Sequence, residues 1–153
     1  MVSIGNKVAD FNLPATGNKT VSLSDFSGKV VVLYFYPKDN TPGCTTESVD
    51  FSHFHEQFVA VNCVVLGISR DSIKKHENFK SKYEMPFDLL SDEDDVVCRA
   101  FDVIKMKSMY GKQFEGIERS TFLIDADGVL RQEWRKVKVK GHVEEVLVAA
   151  QSL

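Results

Sequence analysis

One hundred and fifty-three residues, 43% hydrophobic and 27% charged, suffice for one domain over 1–153 whose core stands without staples. A formal net charge of −3 argues against a nucleic-acid surface, no apolar run is long enough for a bilayer, and the opening MVSIGNKVADF lacks the charged start and apolar core of a secretory signal. Three widely spaced cysteines (Cys44, Cys63, Cys98) with no C-x-x-C are not a disulfide framework, and no Cys and His pair has ligand spacing, so neither metal nor cofactor is expected.

Phe11–Pro14, a polar turn Ala15–Lys19 and Thr20–Leu23 predict a short N-terminal hairpin, and Ser24–Lys29 a helical turn or loop. Val30–Tyr36 is unbroken, β-branched and aromatic, which predicts a central strand covered on both faces. It stops at Pro37, and the turn Thr41-Pro42-Gly43 leads to Cys44. Phe51, Phe54 and Phe58 then recur at helical spacing, predicting one helix from Cys44 to about Val59. On it His53 and His55 point to different faces and belong near the surface.

Asn62–Ser69 predicts a second buried strand, which makes Cys63 an inert strand residue. Asp71 or Ser72 can cap the next helix, with a stripe of Ile73, His76, Phe79 and Tyr83. Pro86 ends that segment, and Phe87–Leu90 is a short strand. Ser91 to Asp94 reads as a capping box opening a helix that carries Val97, Cys98 and Phe101 on or beside one face, so Cys98 is expected in packing. Lys105–Gly116 reads as a polar connection, long enough to suggest a role. Thr121–Asp125 is a third core strand, Asp127-Gly128 a hairpin turn, and Val129–Trp134 its return. The basic run Arg135–Lys140 suits an exposed edge or loop, and Val143, Val146, Leu147 and Ala150 stripe a C-terminal helix. Strands alternating with helices and ending in a hairpin plus helix describe an α/β architecture: a mixed central sheet flanked by helices, with an N-terminal hairpin.

Cys44 carries the chemistry. It falls where a buried strand feeds a helix, and the first helical turn offers unpaired N–H groups and the positive end of the macrodipole. Both favour a thiolate, the nucleophilic form. A free thiol is more often an inert core residue, but core cysteines rarely follow such a turn at a sheet edge.

Pro37-Lys38-Asp39-Asn40-Thr41-Pro42-Gly43-Cys44 matches the P-x-x-x-T-x-x-C signature of peroxiredoxins, and YFYPKDNTPGCTTE resembles their bacterioferritin-comigratory-protein branch, PrxQ. The likeness extends through LGISRDS, LLSDEDDVVC and GIERSTFLIDADG. It implies a thioredoxin-like fold and a thiol peroxidase that reduces hydrogen peroxide and organic hydroperoxides; the missing signal and the cysteine usage make a cytoplasmic location the expectation, and a monomer is expected. Thr41 would hydrogen-bond the peroxide through its hydroxyl. The N–H groups of Gly43 and Cys44 would act like an oxyanion hole, and Pro37 and Pro42 would shape and shield the pocket. Arg119, in GIERSTF, aligns with the active-site arginine; Arg70 is a surface alternative. Thioredoxin, or glutaredoxin with glutathione, would supply the reducing thiol. Many PrxQ proteins carry a resolving cysteine five residues after the reactive one, where this chain has Val49, and others carry it in the next helix, where Ile73–Tyr83 holds none. The chain therefore resembles the one-cysteine form. Resolution by Cys98 and a non-catalytic redox sensor are the alternatives; a disulfide reductase would need a neighbouring second cysteine.

Overall fold

The computed structural model describes residues 1–153. The N-terminal hairpin forms from β1 (Asn12–Ala15) and β2 (Lys19–Ser22), followed by a 3-10 turn at Leu23–Phe26. The central strand is β3 (Val30–Phe35). It leads through the Pro37–Thr41 turn into α1 (Pro42–His53), α2 (His55–Ala60) and β4 (Cys63–Ser69). Then come α3 (Ile73–Lys82), β5 (Leu89–Ser91), α4 (Val96–Ala100) and a hairpin of β6 (Ile104–Met109) and β7 (Lys112–Ile117). The chain closes with β8 (Ser120–Ile124), β9 (Leu130–Trp134) and α5 (His142–Gln151).

Seven strands form one mixed sheet in the order β2-β1-β5-β4-β3-β8-β9. β3 lies inside it, parallel to β4 and antiparallel to β8, so its apolar run is covered on both faces. Val31, Leu33 and Phe35 point into a cluster with Phe101, Cys98 and Phe122. Val32, Tyr34 and Tyr36 point into another with Phe51, Phe58, Phe79, Val146 and Cys44. Burying each such side chain is worth about 1.5–3 kcal/mol, which makes β3 the strand around which the sheet closes. Alternation along β3 also separates the cysteines: Cys44 and Cys63 lie on one side of the sheet, Cys98 on the other.

Gly67 of β4 is opposite Tyr34, and a Cβ there would fall 2.8 Å from both the Tyr34 ring and Leu89. The missing side chain admits the Tyr34 ring, which stacks on Phe51 at 4.5 Å and shares a 2.9 Å hydrogen bond with Ser48. Both partners belong to α1, so this tyrosine seats the helix that carries Cys44.

Three expectations are corrected. The helix after Cys44 breaks at Phe54 into α1 and α2, although Phe51 and Phe58 still share the core. Ser91 opens no helix: pairing with Ser69 extends β5 through it, and its hydroxyl donates to the Asp71 carbonyl. The helix starts at Val96, and the buried Asp92 carboxylate accepts the Val97 and Cys98 N–H groups at 3.3 and 2.7 Å. Lys105–Gly116 is no loop but most of the β6–β7 hairpin, turned at Tyr110 and Gly111, both left-handed.

Candidate active site

Thr41 is the N-cap residue of α1, Pro42 the first helical residue, and Cys44 the third. Proline suits that first position, since its missing N–H would have no partner there. The Thr41 hydroxyl does not cap the helix; it donates to the Lys38 carbonyl at 2.8 Å. The N–H groups of Gly43 and Cys44 thus belong to the first helical turn, with no earlier helical carbonyl to receive them. Pro37, half-buried, ends the strand, whereas Pro42 is exposed.

Arg119 enters from the short link between β7 and β8, its carbonyl held by the Val137 N–H at 3.0 Å. Its Nη2 donates to Cys44 Sγ at 3.2 Å, and its Nη1 to Glu47 Oε1 at 2.7 Å. A Cβ on Gly43 would stand 3.2 Å from Nη2, so the bare α-carbon leaves the guanidinium its path to the sulfur. Cys44 is only 1% exposed.

Burial opposes the Arg119 charge, but Glu47 and Cys44 outweigh it and its pKa is raised. Glu47 is fully buried, and burial lifts its carboxyl to about 7 against the pull of Arg119; its Oε2 has no partner. His142, at the start of α5, shares a 2.8 Å hydrogen bond with Thr121 Oγ1. Burial, and then the Arg119 charge, depress it to about 4. Lys107 of β6 lies in the same field: burial and Arg119 lower its pKa while Cys44 raises it. Arg70 turns elsewhere, to Asp95 at 3.5 Å and the Glu115 carbonyl at 3.1 Å.

All three thiols are unpaired. Burial pushes Cys63 up to about 12, and burial with the Asp92 carboxylate pushes Cys98 well up. Pattern reading missed Glu47, although a carboxylate three residues beyond a helix-start cysteine shares its face. It also missed a buried polar network behind the turn. His76, expected in an apolar stripe, is indeed buried, but it hydrogen-bonds Asp39 Oδ2 at 2.7 Å and the Leu90 carbonyl at 2.9 Å.

Residues 4–133 match the AhpC/TSA family. Peroxiredoxin Bcp of Bacillus subtilis is 54% identical over 146 residues, covering 95% of this chain and 93% of that protein. The solved structure of the Xanthomonas campestris bacterioferritin comigratory protein, described in terms of its alkyl peroxide reduction activity, is 50% identical with a TM-score of 0.89, over 93% of this chain and 90% of its own. A cysteine-to-serine variant of Xylella fastidiosa PrxQ superposes with a TM-score of 0.94 at 46% identity, over 99% and 97%. The fold is thus the thioredoxin-like fold of an α/β thiol peroxidase, and the chain belongs to the AhpC/TSA family. Within it, the chain is a peroxiredoxin of the bacterioferritin-comigratory-protein, or PrxQ, branch. Hydroperoxide is the substrate class and a thiol the reductant class.

Proposed function

We propose that Cys44 is the peroxide-reacting thiol and that the chain works as a one-cysteine peroxidase on hydrogen peroxide and organic hydroperoxides. The observation that carries this reading is the 3.2 Å contact between Arg119 Nη2 and Cys44 Sγ. A guanidinium donating to sulfur favours the thiolate and stays charged throughout turnover. The thiolate attacks one peroxide oxygen; an S–O bond forms as the O–O bond breaks, and the other oxygen leaves as alkoxide or hydroxide and takes up a proton. Cys44 becomes a sulfenic acid. One external thiol then forms a mixed disulfide and releases water, and a second displaces Cys44 as free thiol.

Thr41 spends its hydroxyl proton on Lys38, so it meets the peroxide as an acceptor and orients its O–H. The Gly43 and Cys44 N–H groups face developing negative charge at the positive end of α1. Pro37 and Pro42 shape the turn without adding donors. Glu47 holds the second arm of Arg119. Cys98 stands across the sheet from Cys44, and neither Val49 nor α3 supplies a thiol, which supports an external reductant over Cys98 as resolving residue. A reductant such as thioredoxin, or glutaredoxin with glutathione, acting on a cytoplasmic monomer of one domain over 1–153, completes the reading. Two apolar clusters sharing one sheet support the single domain.

The test is peroxide consumption with each reductant. Cys44→Ser should abolish it, Cys63→Ser and Cys98→Ser should retain it, and turnover in Cys44→Ser would overturn the assignment. With reduced protein and one equivalent of hydrogen peroxide, intact mass without reductant should gain one oxygen that dimedone traps. A loss of two hydrogens, absent in Cys98→Ser, would make Cys98 the resolving residue instead.

A further inference from the structure

The turn before Cys44 is pinned at two points by residues far away in sequence. Asp71, between β4 and α3, accepts the Asp39 N–H on Oδ2 at 2.7 Å, and the same oxygen accepts the Ser69 hydroxyl at 3.1 Å. The Asp39 side chain receives the Tyr36 hydroxyl at 2.6 Å and His76 Nδ1 at 2.7 Å. His76 Nε2 faces the Leu90 carbonyl, which can only accept, so Nε2 carries a proton. His76 is fully buried, and Asp39 and Asp71 are 7% and 9% exposed.

One peptide plane joins this network to the active site. The Asp39 N–H and the Lys38 carbonyl belong to the same planar amide. Asp71 fixes its N–H end, and its carbonyl end accepts the Thr41 hydroxyl proton. Tilting the plane would move the oxygen that sets the Thr41 rotor, and with it the lone pairs offered to a peroxide. We propose that Asp71 is a positioning residue for peroxide reduction, acting through the Lys38–Asp39 peptide on the Thr41 hydroxyl, with the Asp39–His76 pair as the second anchor of that peptide. This rests on the reading that Thr41 contacts the peroxide. Asp71 itself touches neither the sulfur nor the substrate; its carboxylate makes the donor end of the peptide rigid, so the acceptor end is already aimed when substrate arrives.

The experiment is a double-mutant cycle on the rate at which hydrogen peroxide oxidises reduced Cys44, followed by dimedone trapping and intact mass. Thr41→Val alone should slow the step on the order of 10²-fold, the usual loss for a missing transition-state hydrogen bond. Asp71→Ala should slow it on the order of 10-fold when Thr41 is present and less than twofold in Thr41→Val, because groups acting through one another are not additive. Asp71→Asn keeps an oxygen for both the Asp39 N–H and the Ser69 hydroxyl, and should stay within threefold of the parent. Should Asp71→Ala fail to fold, His76→Gln replaces it in the cycle: it keeps a donor for Leu90, releases Asp39, and should slow the step only when Thr41 is present. Equal slowing in both Thr41 backgrounds overturns the inference while leaving Thr41 in its role. A parent-like rate in Thr41→Val overturns the reading of Thr41 and the inference together.

Discussion

Glu47 and His142 flank Arg119 and are displaced in opposite directions, which makes stability against pH a sensitive test of the site. Burial raises Glu47 from 4.5 to about 7, and burial with Arg119 lowers His142 from 6.5 to about 4. A carboxyl raised on folding contributes stability that is complete below 4.5 and lost as pH rises to 7, because the native state holds the proton longer. An imidazole lowered on folding does the reverse: its contribution is complete above 6.5 and lost as pH falls to 4. At about 1.4 kcal/mol per pH unit, each gap is worth about 3 kcal/mol. The two slopes therefore nearly cancel in the parent between pH 4.5 and 7. Glu47→Gln keeps an oxygen for Arg119 Nη1 and removes the titration. Urea unfolding at pH 4.5 and 7.5, followed by circular dichroism, should show this variant gaining about 3 kcal/mol on the parent toward the higher pH. His142→Gln should lose about 3 kcal/mol on the parent over the same interval. Taking differences from the parent removes the common contributions of Asp10, Asp88 and Asp125, whose pKa values are lowered. If both variants ran parallel to the parent, the account of burial and charge around Arg119 would be wrong.

Gly43→Ala should slow Cys44 oxidation by about 10-fold with little loss of stability, since its Cβ would stand 3.2 Å from Arg119 Nη2; a parent-like rate in stopped flow would show that the guanidinium yields freely. Arg119→Ala should slow the same step by more than Gly43→Ala does, and equal rates in the two would refute the role given to the sulfur contact. Gly67→Ala should cost about 1–3 kcal/mol in urea unfolding, because its Cβ would fall 2.8 Å from Tyr34 and Leu89, and an unchanged midpoint would contradict the packing described. Asp92→Ala should destabilise by about 1–2 kcal/mol through the lost cap on Val97 and Cys98, whereas Asp94→Ala should do so by less than 0.5 kcal/mol; equal losses would restore Ser91 and Asp94 as the cap.

The elements most legible from sequence were those whose side chains share one environment along their length. Val30–Phe35 is apolar at every position because both faces of β3 are covered, and the C-terminal stripe persists because α5 turns a single face to the sheet. The β6–β7 hairpin left no such mark. It pairs with no other strand of the sheet, so charged Lys105, Lys107 and Lys112 alternate with Met106, Met109 and Phe114 without a dry face, and the turn is Tyr110-Gly111 rather than Asn-Gly or Asp-Gly. Ser91 misled for a different reason: its small polar side chain fits a helix cap and a buried strand end equally well, and the neighbour that decides between them, Ser69, is distant in sequence.

The same distinction runs through the site. Cys44, its turn and the helix that follows are contiguous, so local chemistry points to them, whereas Arg119 stands 75 residues from Cys44 in the chain and only the family motif singles it out. Asp39, Asp71 and His76 are each unremarkable alone: a turn residue, a cap candidate and a helix residue. Their significance lies in mutual compensation, for a buried carboxylate is tolerable only where donors meet it, and the donors here come from the link before α1, from β4 and from α3. Hydropathy cannot register such a set, because burial and polarity cancel in every member. What pattern could have offered is negative evidence: His76 occupies the apolar stripe of α3 between Ile73 and Phe79, and a histidine buried there requires partners for both ring nitrogens. Those partners, Asp39 and the Leu90 carbonyl, lead from the stripe directly to the turn that carries Thr41.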